Sequence, residues 1–403
     1  MINEKMAHAA ANNSAVREMF EEGNRLKALY GPENVYDFSI GNPYFPAPES
    51  VKTAVFDILN TTDPLTVHGY MPNDGFPAVR QTVAEYINET FGDDISGDNI
   101  VMTVGAAGGM NAILKALLNP GDEVLVPAPY FLEYGHYVEN YGGTLVPVLS
   151  KEEDGFMPDI PALAAAINAN TKAMILNNPN NPTGVIYPVE VIQALAAMLE
   201  EKSKEFGQPI YLISDEPYRE LAFDGAEVAY LPKYYKNTIV GYSWSKSLSL
   251  PGERIGYLEI PPRIDDYELV RSAVSICARI LGFVNAPSLM QLVVQRCIHE
   301  SCDIAAYDNN RKLLYNGLSE LGYTCAKPQG AFYLWLKTPT EEKEFVQEAK
   351  KHNILVVPGS SFKCPGYVRV AYCVSPDTIR GSMKGFAAMA ETYGLKSKMR
   401  KRN

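Results

Sequence analysis

Residues 172–214 read KAMILNNPNNPTGVIYPVEVIQALAAMLEEKSKEFGQPIYLIS, and the fold turns on this stretch. Its opening, KAMIL (172–176), and its close, IYLIS (210–214), are short β-rich runs. Between them Val191, Ile192, Leu195, Met198 and Leu199 follow the 3.6-residue helical period. A strand, a helix and a second strand in that order imply a right-handed crossover and parallel pairing. The alternation continues outward. IVMTV (100–104), EVLVP (123–127), TLVPV (144–148) and NTIVG (237–241) are further strand candidates. Turn chemistry marks the boundaries: NPGDE (119–123) separates a helix from a strand, and DGFP (74–77) sets Pro77 near the first turn of another helix.

The expected fold is therefore α/β, a large domain with a mainly parallel sheet flanked by helices, whose ligands sit at the C-terminal ends of strands. After about residue 290 the order becomes helix, AFYLWL strand (331–336), helix, ILVV strand (354–357), YVRVAY strand (367–372) and helix, a smaller α+β domain. The expected division is an N-terminal arm and start of the small domain at 1–45, the large domain at 46–290 and the small domain at 291–403.

With 403 residues, 46% of them hydrophobic and 21% charged, the chain is globular and too long for one small core. Its apolar runs are strand-sized or amphipathic, so no membrane span is expected. MINEKMAHAAANNSAVREMF lacks the basic start and apolar core of a secretory signal. A net charge of −11 disfavours nucleic acid and anionic membrane as partners. The basic end KSKMRKRN (396–403) is expected to be a solvated terminus. Six cysteines show no CxxC spacing, so buried reduced thiols, no metal site and a cytoplasmic location are expected.

Chemistry concentrates in a few segments. SWSKSLSLPGERIGYL (243–258) follows a strand and crowds Ser243, Ser245, Lys246 and Arg254 into one short loop. A lone lysine is usually a surface cation. Two hydroxyls and a guanidinium fork beside an amine instead suit a phosphate held next to a nucleophile. YLISDEPYREL (211–221) ends a strand in Asp215 with Tyr218 three residues on, which could equally be cap and rim residues. NNPNNPTGVIYP (177–188) is a plain turn in composition, yet stands where a parallel sheet binds ligand. TVGAAGGMNAILKALL (103–118) reads as strand, small-residue turn and helix, an arrangement whose free N–H groups and dipole attract anions.

These motifs together resemble the class I/II pyridoxal-phosphate-dependent aminotransferases of fold type I, in the aspartate aminotransferase-like superfamily. The resemblance runs from SIGNPYFP (39–46) to YVRVAYCVS (367–375). It implies pyridoxal 5'-phosphate held by Lys246 as a Schiff base, with Ser243, Ser245 and Arg254 on the phosphate and Ala106, Ala107 and Gly108 as its cradle. Many relatives carry a polar side chain where this chain has Ala107, so a side-chain contact is lost there. It further implies that Asp215 keeps the pyridine nitrogen protonated, and that Tyr218 and Asn181 reach the 3-oxygen. Phe131 in VPAPYFLEYGHY (126–137), or Tyr130 if the register slips by one, stacks on the ring. Tyr70 of HGYMPNDGFPAVRQ (68–81) reaches the phosphate of a neighbouring subunit, which makes a homodimer the expected partner state. Arg369 takes the substrate α-carboxylate, and Gly41 leaves room for substrate by lacking a side chain.

The activity implied is transfer of an amino group from an L-amino acid, aspartate or aromatic in type, to a 2-oxo acid by a ping-pong mechanism. A carbon–sulfur β-lyase acting on cystathionine-like substrates shares the lysine and aspartate and remains the alternative. A non-catalytic pyridoxal-phosphate-sensing protein would need a DNA-binding module that the acidic composition does not supply. Arg279 in SICARILGFVNAPS (275–288) is either an interfacial arginine or a helix-surface ion pair.

Overall fold

The computed structural model describes residues 2, 4–11 and 15–396. Most of the basic end, residues 397–403, lies outside the described residues. The chain divides into two compact units. The larger takes Phe45–Asn180 and Ile186–Ile304; the smaller takes Met1–Tyr44, Asn181–Val185 and Ala305–Asn403, apart from the undescribed residues.

The larger unit is built on seven strands in the order Ile100–Thr103, Gly256–Glu259, Thr238–Ser243, Tyr211–Asp215, Thr171–Asn177, Glu123–Ala128 and Thr144–Leu149. All neighbours run parallel except Gly256–Glu259, which is antiparallel to both of its partners. This is the mixed α/β, mainly parallel sheet expected. The pleat sends neighbouring residues to opposite faces. Ile100 and Met102 enter one core with Val79, Val83 and Ile87 of the helix Pro77–Phe91, while Val101 enters another with Ile113 and Leu114 of the helix Gly105–Leu117. The crossover helix between residues 176 and 210 spans Val189–Phe206. It buries Ile192, Leu195, Ala196, Met198 and Leu199, and ends at left-handed Gly207. Its Val191 is only partly buried.

The smaller unit holds four antiparallel strands in the order Val357–Pro358, Tyr367–Ala371, Tyr333–Lys337 and Thr324–Ala326. The expected ILVV strand is two strands. Ile354–Leu355 pairs with Tyr36–Asp37, and Val357–Pro358 turns to the other sheet. Among the described residues before 45, Val35 and Phe38 are buried.

No described helix is long and apolar enough to cross a membrane. Among the described residues no cluster of His, Cys, Asp and Glu could hold a metal ion.

Candidate active site

In the larger unit, parallel register sets Asn177 beside Asp215, and Asp215 beside Gly241, at neighbouring strand ends. Asp215 is buried. The Tyr134 hydroxyl donates to its Oδ2, and Asn177 Nδ2 donates to its backbone carbonyl at 2.8 Å. Oδ1 accepts no hydrogen bond among the described residues. Burial pushes the Asp215 carboxyl up to about 6, the Tyr134 hydrogen bond draws it down, and the neighbouring Glu216 charge adds to the rise. Burial, and then the Asp215 charge, hold the Tyr134 phenol well above its ordinary value, so it stays a donor.

Tyr134 was not among the residues singled out in the sequence. Its signal was its place in VPAPYFLEYGHY, three residues after Phe131, but the contact spans 81 positions and depends on strand order. The two candidate stacking rings flank it. Buried Tyr130 lies parallel at 6.3 Å between centroids, and half-buried Phe131 meets its edge at 5.6 Å. Tyr218 is buried one turn beyond Asp215.

The Lys246 segment is more ordered than one loop. Thr238–Ser243 ends as a strand, and the Ser243 hydroxyl caps the short helix Trp244–Ser247 by accepting from Ser245 N at 3.0 Å. The same hydroxyl donates to Ser245 Oγ at 2.6 Å. Lys246 stands half-buried on this turn. Beneath it, Tyr242 donates to Glu220 at 2.8 Å and lies 2.8 Å from Ser247 Oγ, while Cys302 N donates to the Ser247 carbonyl at 2.6 Å. Arg254 follows in a left-handed conformation, φ 53°, with Nη1 donating to Pro251 O at 3.0 Å.

The small-residue turn expected before the next helix is the first turn of that helix, Gly105–Leu117. Ala106 and Ala107 therefore lie where backbone N–H groups have no intrahelical acceptor, Gly108 begins the helical ladder just behind them, and no side chain caps the start at Val104. Gly105 adopts φ 67°, and a Cβ on it would lie 2.7 Å from Arg254 Nη2. Glycine is needed there both for the backbone and for the close approach of the guanidinium. A buried carboxylate with one idle oxygen suits a protonated ring nitrogen. An uncapped helix start, paired hydroxyls and a guanidinium suit a phosphate. Pyridoxal 5'-phosphate fits both halves of this set.

In the smaller unit Arg369 sits in the central strand Tyr367–Ala371, opposite Trp335, and is 4% exposed. A buried guanidinium is costly unless held. Nη1 donates to Asn181 Oδ1 at 3.1 Å and Nη2 to the Ser39 carbonyl at 2.7 Å, while Nε has no partner among the described residues. Its carbon lies 4.4 Å from the Tyr333 ring centroid and 4.9 Å from that of Phe362. Such a fork, fixed in plane with N–H groups to spare, binds a carboxylate well.

Two singled-out residues stand apart. Tyr70 is 92% exposed, and Arg279 lies exposed in the last turn of the helix Tyr267–Ile280. A buried ion pair also escaped the sequence reading: Arg219 Nε donates to Glu216 at 2.7 Å, next to Asp215 in the chain.

A family model described as aminotransferase class I and II matches residues 33–384. The chain is 31% identical over 393 residues to an aspartate/prephenate aminotransferase of Thermus thermophilus, covering 95% of this chain and 96% of that one. It is 29% identical to an aspartate aminotransferase of Pyrococcus horikoshii, covering 92% and 93%. An aminotransferase crystal structure from Eubacterium rectale superposes with a TM-score of 0.95 at 44% identity, covering 98% of this chain and 99% of that one. The Thermus thermophilus aspartate aminotransferase with maleate gives 0.85 at 28% identity, covering 96% and 99%.

Proposed function

The chain belongs to the class I and II aminotransferases, pyridoxal-phosphate-dependent transaminases, and from that premise we propose that it moves the amino group of an aspartate-type or aromatic L-amino acid to a 2-oxo acid by ping-pong turnover. Asp215 carries this reading, because a buried carboxylate with an unused Oδ1 is what a protonated pyridine nitrogen satisfies. The substrate type rests on relatives named for aspartate and prephenate.

Bound pyridoxal 5'-phosphate supplies an aldehyde that condenses with amines and a ring that withdraws electrons from Cα. The chain's residues do the rest. Ser243, Ser245, Arg254 and the helix start at Ala106, Ala107 and Gly108, with its free N–H groups, would hold the phosphate. Phe131, whose ring is less enclosed than that of Tyr130, stacks against the pyridine. Tyr218 and Asn181 donate to the 3-oxygen, and Tyr134 keeps Asp215 aimed and ionised. Arg369 takes the α-carboxylate on its fork and so fixes Cα. Lys246 Nζ would serve as the general base that takes up the Cα proton and as the acid that gives it back. Because both half-reactions use these same groups, one product leaves before the second substrate binds. The partner subunit's Tyr70 completes the phosphate site, and the working form is a homodimer.

Borohydride reduction of the loaded protein followed by peptide mapping should recover the label on the peptide containing Lys246. Label on any other lysine would overturn the assignment. Amino donors tested against 2-oxoglutarate should give glutamate without pyruvate and ammonia, whereas release of those two products from cystathionine would point to the lyase.

A further inference from the structure

The sequence suggests that Gly41 lacks a side chain to leave room for substrate. The geometry gives another reason. Gly41 is not among the residues with positive φ, so its backbone would accept alanine. A Cβ built there does not meet open space. It falls inside the Tyr333 hydroxyl, with the ring's Cζ at 2.9 Å and Cε1 at 3.2 Å, and its three nearest atoms all belong to Tyr333. The phenol tip rests where a side chain at residue 41 would stand.

Tyr333 is also the ring nearest the Arg369 fork. It opens the strand Tyr333–Lys337 and pairs with Ala371, two residues from Arg369 on the adjacent strand and on the same face. The guanidinium carbon stands 4.4 Å from its centroid, with Phe362 at 4.9 Å. Tyr333 is 2% exposed and cannot move aside into solvent. Its hydroxyl end is set by Gly41 and its face sets the plane of the fork. Displacing the one tilts the other.

We propose that Tyr333 is the positioning residue of the Arg369 carboxylate fork, and that position 41 is glycine to seat the Tyr333 hydroxyl rather than to admit substrate. This rests on the reading that Arg369 binds the substrate α-carboxylate. Because that carboxylate is common to all amino-acid substrates, the pair sets affinity for all of them together and leaves the proton transfer at Lys246 alone.

The test is a double-mutant cycle read by KM, by kcat, and by maleate binding in calorimetry. Gly41→Ala should raise KM for every amino donor and the maleate dissociation constant by about tenfold, with kcat within about threefold of wild type. Tyr333→Phe keeps the ring against the guanidinium and removes the atom that a side chain at residue 41 would meet first. Gly41→Ala in a Tyr333→Phe background should recover much of the loss, and in a Tyr333→Leu background should cost nothing further. Additive effects would overturn the proposal, as would a Gly41→Ala variant with unchanged maleate affinity. If Gly41→Ala does not fold, Tyr333→Leu carries the test, and normal maleate binding by that folded variant overturns it. Arg369→Lys without effect on maleate would instead remove the carboxylate reading beneath it.

Discussion

Asp215 keeps a charge where burial opposes one. Its carboxyl is pushed up to about 6 from an ordinary 3.8, with Tyr134 offsetting part of the rise. A folded value above the unfolded one means that the native state holds the proton more tightly. The resulting stabilisation is fully present below pH 3.8 and is lost as pH rises through about 6. By pH 8 the loss in the ligand-free protein is on the order of 3 kcal/mol. Asp215→Asn abolishes that titration, so the ligand-free variant should melt above wild type at pH 8 and no higher at pH 4, as differential scanning calorimetry can follow. Its turnover should fall by several orders of magnitude, on the order of several kcal/mol of barrier. A melting difference that ignores pH would show that Asp215 is not the strained group. At this scale the sequence was informative where chemistry is local. Ser243, Ser245, Lys246 and Arg254 lie within twelve residues of one another on adjoining turns, so their grouping could be read from spacing. Tyr134 approaches Asp215, and Tyr333 approaches Arg369 and Gly41, only through sheet order and side-chain reach, which no local window contains.

Elements were legible wherever their length let periodicity speak. The β-rich runs at 123–127, 172–176 and 210–214 match strands to within one residue at each end, because buried parallel strands need continuous apolar sequence. The strand Gly256–Glu259 was not legible, being four residues long and ending in a buried glutamate that takes a hydrogen bond from Tyr230. The four-residue helix Trp244–Ser247 was equally silent, since it is defined by the Ser243 cap rather than by any period. The helix Gly105–Leu117 offers a paired test of how an element's first turn is built. Gly105→Ala meets both a left-handed backbone and Arg254 Nη2 at 2.7 Å, so it should cost about 1–3 kcal/mol of stability and displace the guanidinium. Gly108→Ala meets Val104 Cβ at 3.3 Å and Phe283 at 3.5 Å within an ordinary helical backbone, where gained helix propensity offsets crowding. Chemical denaturation should therefore show Gly105→Ala clearly destabilised and Gly108→Ala within about 1 kcal/mol of wild type. Cofactor dissociation, followed by absorbance, should accelerate for the first far more than for the second. Similar loss in both variants would mean that the helix start tolerates no added methyl, and that the Arg254 approach is not what fixes glycine at 105.

On the scale of the whole molecule, exposed apolar residues need a reason. Phe56, Leu59, Leu65 and Tyr70 are 59%, 46%, 82% and 92% exposed within one short span of the larger unit. Single exposed apolar side chains are ordinary, but a run of four with a tyrosine at its end fits a surface that a second copy covers. Under the proposed homodimer, Tyr70 serves the phosphate of its neighbour, and two-fold symmetry exchanges the contact in both directions. That arrangement predicts complementation. A Lys246→Ala subunit lacks the proton-carrying amine in its own site but still offers a sound Tyr70. A Tyr70→Arg subunit has a sound Lys246 but spoils the site next door. When the two inactive variants are co-refolded, one site of each hybrid dimer carries both lesions and the other carries none. Each hybrid should then show about half the activity of a wild-type dimer, measured on hybrids isolated with two different affinity tags. If Tyr70 instead acts within its own subunit, every site of the hybrid keeps one lesion, and isolated hybrids would stay inactive. Mixed-tag capture proves that exchange occurred, so the absence of activity would be chargeable to the shared-site reading and to nothing else.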